Sequence, residues 1–396
     1  MSVYTIAAVW MALALIASVI SIRAGIAVAL VEIAVGVVAG NIPVVSGFVQ
    51  QTPFTTFLAT VGSVMLTFLA GAEIDPVSLR RHWKASLSIG AVSFALPFAA
   101  AFAVCLFFLR WSLHAAEIGG VALSTTSVAV VYAVMVETGL NRQELGKLIL
   151  AACFVTDLGT VLALGVLFAG FSPLLSVFAV VTCVVLVAIA PSMRYVMRTL
   201  GHRVSEPEIK FLLVVLFGLG ALATAAGSEA VLPAYVLGLA IAGVFLTDRV
   251  LIDRMRSISF ALLTPFFFLR AGLLVSLPAL IAGAGLIALL FATKMAAKLV
   301  GVWPVAALFK VGRSDRNYLT LLMATGLTFG SISALYGLTH GLIDEKQYSV
   351  LLTVVIASAV LPTLVAQRLY LPKTVDAEEE EALGAEDASI VHRRPG

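Results

Sequence analysis

Charge is what this sequence has least of. Asp, Glu, Lys and Arg make up only 12% of its 396 residues, against 61% hydrophobic, whereas a soluble domain carries roughly a quarter charged residues. Together with a mean hydropathy of +1.08, that scarcity excludes an ordinary soluble enzyme and points to a chain that crosses a membrane many times. Cysteine is scarce as well. The three present, Cys105, Cys153 and Cys183, each lie inside an apolar run, which excludes a disulfide framework and reads as packing. Five histidines scatter near loops without ligand spacing, so no metal centre and no cofactor are expected. Residues 1–22 lack the basic n-region and cleavage site of a secretory signal, and apolar segments continue beyond them, so they read as a first span. Paired carboxylates, a nucleophile–base motif and a GxGxxG unit after the last span are all missing. An enzyme of the common classes, an appended nucleotide-binding domain and a nucleic-acid partner are therefore not expected.

What the chain does have is thirteen apolar segments of spanning length, at about 3–22, 24–40, 54–71, 84–109, 115–137, 146–169, 172–192, 210–227, 230–247, 257–275, 279–308, 317–338 and 347–369. The expected fold is therefore an all-α polytopic membrane protein. Short interruptions carry Pro, Gly or charge: 41–43, Asp75-Pro76, Pro191, Glu206-Pro207 and Gly312-Arg313. Basic residues gather in alternate loops: Arg23; Arg80, Arg81 and Lys84; Arg142 and Lys147; Arg194, Arg198, Arg203 and Lys210; Arg249, Arg254 and Arg256; Lys310, Arg313 and Arg316. The opposite side holds only Arg110, Arg270 and Lys346. The positive-inside rule then sets the N-terminus outside and the C-terminus in the cytoplasm. Adding or dropping one span would scramble this asymmetry.

Residues 126–150 and 328–352 share hydropathy and a Gly-Leu turn at Gly139 and Gly341. The second copy lies seven segments later, so its direction through the membrane is reversed. Inverted repeats are the usual build of secondary transporters. Six spans, a linker span and six spans account for the count. The tail, 371–396, contains Glu378 to Glu381 and small polar residues, a composition that cannot form a core and is expected to be a disordered cytoplasmic end.

Chemistry concentrates at few positions. Asp157 is a lone carboxylate near the middle of the sixth segment, expensive there without a partner, water or a counter-ion. As a functional group it would bind a proton and a cation in turn, with the hydroxyl of Thr156 beside it. Ser124, Thr125, Thr126 and Ser127 place four hydroxyls in a row, more than back-bonding in a continuous helix absorbs. The corresponding place in the other half, 325–331, holds Thr325, Gly326, Thr328, Gly330 and Ser331. Both stretches suggest interrupted helices that expose carbonyls and helix ends near the membrane middle. Small-residue helix packing is the alternative. Lys294 and Lys298, four apart on one helical face, would steady broken-helix ends, compete for Asp157 or reach a polar cavity. Glu32 reads as packing or gating. Glu73 and Glu137 would line a cytoplasmic funnel, Glu229 sits on the opposite side, and Arg270 ends the tenth span and could pair with a buried acid.

On these residues the chain resembles the cation:proton antiporter superfamily, in its second branch of bacterial sodium/proton and potassium/proton exchangers, with a fold of the NapA/NhaA type. The resemblance covers most of 28–367. It rests on Val31-Glu32 before a Gly-rich end, Gly71-Ala72-Glu73, Thr126-Ser127-Val128, Val155-Thr156-Asp157, Pro265 to Phe268, and Lys298 with Gly301. It implies a homodimer in the bacterial inner membrane. A mobile core would cover roughly 84–169 and 279–369, and a dimerisation scaffold roughly 1–71 and 172–275. The fifth and twelfth segments would unwind and cross beside Asp157. It also implies that Asp157 is the ion-binding carboxylate and Lys298 the core lysine. Electrogenic members carry two adjacent aspartates where this chain has Thr156-Asp157, so one-for-one electroneutral exchange of H⁺ for Na⁺ or Li⁺ is the expectation. Thr126, Ser127 and Thr156 would be co-ligands, with Thr328 and Ser331 as helpers. A K⁺/H⁺ antiporter is the nearest rival reading, and a sodium-coupled organic-anion symporter a more distant one.

Overall fold

The computed structural model describes residues 2–47, 49, 51–72, 76–167, 173–201, 203–228, 230–245, 249–275, 278, 281 and 283–372. Among them regular structure is entirely helical, as expected where backbone polar groups must be satisfied within each segment. Among the described residues ten helices are long and apolar enough to cross a membrane, by length and composition, and Val28–Asn41 and Pro233–Phe245 are shorter apolar helices. Glu73, Asp75, Glu229 and the acidic tail lie outside the described residues.

In chain order the helices are α1 (Val3–Ala24), α2 (Val28–Asn41), α3 (Pro53–Ala72), α4 (Pro76–Ala103), α5 (Leu113–Ser124), α6 (Val128–Glu137), α7 (Glu144–Leu167), α8 (Pro173–Leu200), α9 (Pro207–Ala225), α10 (Val231–Phe245), α11 (Arg249–Ile258), α12 (Thr264–Leu273), α13 (Ala284–Leu308), α14 (Arg313–Met323), α15 (Thr328–Thr339) and α16 (Glu345–Leu369). A π-helical turn, Ser259–Leu263, links α11 to α12, and another, Val104–Phe108, extends α4. Helix starts follow local chemistry. α3, α4, α8 and α9 open on proline, which has no N–H to leave unpaired in a first turn. α16 opens on a capping box between Asp344 and Gln347, and α1 ends at Gly25 in the left-handed region. One sequence expectation is corrected. Pro191 does not interrupt its segment, because α8 continues through it to Leu200. A proline removes a single intrahelical bond, and helices in membranes tolerate that loss.

Packing follows a simple pattern. α2 lies along α12 and α3 along α10 and α12, with α1 against α2 and α8 against α9 and α10. Separately, α4 packs on α5, α7 and α13, while α15 contacts α5 and α16, and α14 contacts α7, α13 and α16. Contacts between the two sets come from α3 with α6, α2 with α6 and α16, and α10 with α4 and α7. Cys105 and Cys153 are buried, whereas Cys183 is exposed on α8, among outward valines at 177, 180, 184 and 187. In a membrane protein an apolar outer face meets lipid and needs no cover.

The α2–α12 and α3–α10 pairs approach until backbones touch. A Cβ on Gly272 would collide with Ile33 O and stand 2.6 Å from Val37 N, and one on Gly238 would meet Phe68 O. Neither obstacle is a side chain that could swing aside. Overpacking of this kind costs about 1–3 kcal/mol. Gly272→Ala is therefore expected to lower the melting temperature in detergent by several degrees, read by loss of the monodisperse chromatographic peak on heating. An unchanged melt would contradict this packing.

Candidate functional site

The polar run of Ser124 to Ser127 is a helix break. α5 ends at Ser124, Thr125 and Ser127 are extended, and α6 begins at Val128. In the other half α14 ends at Met323, residues 324–327 lack helix, and α15 begins at Thr328. The hydroxyls divide their work. Ser124 and Thr125 bond back to Val121 O and Ala122 O, as Thr325 does to Leu322 O. Thr126 and Ser127 instead reach across. Thr126 Oγ1 donates to Met323 O at 2.8 Å, and Ser127 Oγ lies 3.1 Å from Thr328 Oγ1. The two breaks therefore cross and are tied together, with all of these hydroxyl groups buried. Glycine is required at the crossing: a Cβ on Gly330 would stand 2.9 Å from Ala122 O and from Thr125 Oγ1.

Broken helices leave unpaired ends inside the protein, and charges answer them. The C-terminal end of a helix carries partial negative charge and its N-terminal end partial positive charge. Lys298 Nζ donates to Ser124 O at 2.9 Å, to Thr126 Oγ1 at 3.0 Å and to Ser93 Oγ at 2.7 Å. It thus caps the C-terminal end of α5. Lys294, one turn earlier on α13, donates to Ser358 Oγ at 2.9 Å and sits against Gly326, just past the end of α14. The two lysines therefore serve different breaks. Both are fully buried.

Asp157 on α7 faces the start of α6, where the Val128 N–H donates to its carboxylate and the charge of Lys298 acts on it from nearby. Its Oδ1 is buried with no hydrogen-bond partner. Buried acceptors are nearly always satisfied, and an orphaned carboxylate oxygen beside a helix N-terminus has room in its chemistry for a proton or a cation. Among the described residues no group of three or more His, Cys, Asp or Glu could hold a resident metal.

The structure thus brings Asp157, Thr126, Ser127, Thr328 and Lys298 to one crossing. Thr156 is buried but turned away: its hydroxyl donates to Gly90 O and Ala152 O, toward α4. Ser331 bonds back to Leu327 O and Thr328 O and lines a cleft. Glu32 is buried beside Glu137, in another part of the molecule. Glu73 lies outside the described residues. Sequence reading missed Ser93 and Ser358, the hydroxyls that hold the two lysines, and Tyr235, which stacks on Phe154 at 4.2 Å and lies near Asp157. Their signal is faint. Ser93 and Ser358 are each a single polar atom in an apolar helix, and only a buried lysine elsewhere gives them a purpose.

A cavity of about 350 Å³ opens between α3, α12 and Ala230 on one side and α15 and α16 on the other. Gln51, Ser63, Arg270, Tyr348, Ser331 and Thr328 are among its walls, so it reaches one edge of the crossing. Arg270 Nε donates to Gln51 Oε1 at 3.4 Å.

Comparison with known proteins agrees with this geometry. A family model described as sodium/hydrogen exchanger, transmembrane, matches residues 11–369. The chain is 27% identical over 345 residues to cation/H(+) antiporter 18 of Arabidopsis thaliana, an alignment covering 82% of this chain and 42% of the plant protein. It is 22% identical over 327 residues to probable Na(+)/H(+) antiporter 3 of Methanocaldococcus jannaschii, covering 80% and 84%. It is 25% identical over 348 residues to the glutathione-regulated potassium-efflux system protein KefC of Salmonella typhi, covering 82% and 54%. The chain spans about two fifths of the length of the plant relatives it matches. Its fold is that of the sodium proton antiporter MjNhaP1 from Methanocaldococcus jannaschii at pH 8, with a TM-score of 0.66 at 15% identity, covering 92% of this chain and 97% of that one. The crossed broken helices, the orphaned carboxylate and the family match converge: this chain is an integral membrane protein of the transmembrane sodium/hydrogen exchanger family, within the cation:proton antiporter superfamily.

Proposed function

We propose that the chain is a secondary antiporter that exchanges a monovalent cation, Na⁺ or Li⁺, for H⁺ by alternating access, one for one. The observation that carries this reading is the buried, unpartnered Oδ1 of Asp157 at the crossing of two broken helices. Deprotonated Asp157 takes the cation with oxygens from Thr126, Ser127 and the exposed turns. Protonated, it is neutral. An empty charged site is costly to carry through the membrane, so the carboxylate crosses only when occupied by one ion or the other, and exchange is enforced. A single carboxylate offers one proton per cycle, which supports electroneutrality. Lys298 is occupied by Ser124 O, Thr126 and Ser93, so we assign it to stabilising the α5 end, with Lys294 doing the same near Gly326. Thr156 braces α7 on α4.

The two packing sets support a division into a core of α4–α7 and α13–α16 and a scaffold of α1–α3 and α8–α12, with the cleft between them as an ion route. The left-handed glycines Gly139 and Gly341 and the paired breaks support inverted repeats of six spans joined by α8, and hence thirteen spans in all. The π-linked run from α11 to α12 and the shorter helices α2 and α10 complete that number. A homodimer in a bacterial inner membrane, N-terminus outside, is part of the same reading. K⁺ is the second candidate cation, favoured by the similarity to a potassium-efflux protein.

Purified protein in proteoliposomes tests this directly. Dissipation of a pH gradient by Na⁺, Li⁺ and K⁺, with the membrane voltage clamped at several values, is expected to respond to Na⁺ and Li⁺ and not to voltage. A response to K⁺ alone would replace the cation, and a voltage-dependent rate would overturn the stoichiometry. Asp157→Asn keeps an acceptor for the Val128 N–H, so it is expected to fold normally while losing at least ~100-fold in exchange, as removal of an essential group does. Retained proton-coupled cation flux would refute the assignment. Lys298→Met strands Ser124 O and is expected to cost about 1–3 kcal/mol of stability, read as a lower melting temperature than that of Asp157→Asn.

A further inference from the structure

Helix α2 begins without a cap of its own. Its N-cap residue, Ala27, has no side-chain acceptor to offer, although the first N–H groups of any helix need partners. They are supplied from far away in sequence. Val28 N–H donates to Glu137 Oε2 at 2.8 Å, across 109 residues, with Ala29 N–H next in the same first turn. Ala27 N–H donates to Gln367 Oε1 at 3.3 Å. In the preceding turn Ala24 O accepts from Arg368 Nη2 at 3.0 Å. Beneath these bonds Ala27 and Leu30 pack on Val134 and Leu364. The donors and acceptors thus divide cleanly: the α1–α2 turn belongs to one packing set, and the ends of α6 and α16 belong to the other.

The position of this contact gives it meaning. The open cleft lines the first half of α16, from Tyr348 to Ile356, while Gln367 and Arg368 close it at its end. At 1.5 Å per residue Ile356 and Gln367 lie about 17 Å apart along one helix. The helix sets are therefore parted at one end of α16 and clasped at the other.

We propose that Glu137, Gln367 and Arg368 are positioning residues that clamp the α1–α2 turn and hold this side shut while the opposite cleft is open. The inference rests on the alternating-access reading above. Core movement must release these three bonds together. Their loss favours the conformation in which the cleft is closed, because a contact made in only one of two states shifts the balance between them by its own worth.

The test reads conformation without transport. In a Cys183→Ala background, Leu335→Cys places a thiol in the cleft wall, where Leu335 is 46% exposed, and the other two cysteines are buried. The protein is reconstituted in nanodiscs, which expose both faces, and labelled with a charged maleimide. Glu137→Ala combined with Gln367→Ala is expected to slow labelling about threefold or more. Glu137→Gln retains a carbonyl acceptor for the α2 N–H groups and is expected to stay within about twofold of the parent. In proteoliposomes the double variant shifts turnover and apparent KM together, as a change in state population does. Unchanged or faster labelling in a monodisperse double variant overturns the clamp. If that variant does not purify folded, Arg368→Gln at the exposed rim is read in the same way. Labelling does not require exchange, so a failed clamp and a failed antiport assignment remain distinguishable.

Discussion

Asp157 sits where an isolated carboxylate is least welcome, and its surroundings can be understood as the means of tolerating it. Removal from water would cost several kcal/mol without compensation. The compensation comes from backbone. Breaking the fifth apolar segment at 125–127 frees the Val128 N–H, with the partial positive charge of a helix start behind it, and aims it at the carboxylate. The second oxygen is left unserved. In the proposed exchange, a half-satisfied site is one that can bind an ion and also release it.

Breaking a helix for this purpose creates a new difficulty, since its other fragment ends on carbonyls with no helical partners. Lys298 answers it at Ser124 O, and the crossing with the second break answers more of it, through Thr126 to Met323 O. At that second break Lys294 stands beside Gly326 and donates to Ser358 Oγ. Carboxylate, two lysines, two breaks and the small residues at Gly326 and Gly330 are thus consequences of one another. Removing any of them strands a buried polar group elsewhere.

Around this crossing the protein holds its two helix sets in different ways. Within each set helices approach to backbone contact, as at Gly272 and Gly238. Between them side chains pack where α3 meets α6 and α10 meets α4 and α7, with a cleft at one end and hydrogen bonds from rim side chains at the other. In the proposed cycle that side-chain interface is the one remade, whereas interlocked backbones move together.

Much of this was legible in the chain itself. The scarcity of charge determined a helical membrane protein, because unpaired backbone is not tolerated in lipid. A lone Asp157 in an apolar run, and hydroxyls too numerous for a continuous helix at 124–127, pointed to the helix break and the region of the proposed site, because each is expensive unless used. Pro191 misled, since a proline that breaks a soluble helix need not break one in a membrane. Tertiary structure alone decided the rest. Thr156 adjoins Asp157 in sequence, yet neighbouring residues on a helix point about 100° apart, and its hydroxyl went to Gly90. Lys294 and Lys298 look interchangeable in sequence, but one turn of α13 is enough to give them different helix ends. The Glu137 cap on α2 spans 109 residues and has no local signature at all. Sequence determines which groups must find partners inside a membrane; only the packed fold determines which partners they find.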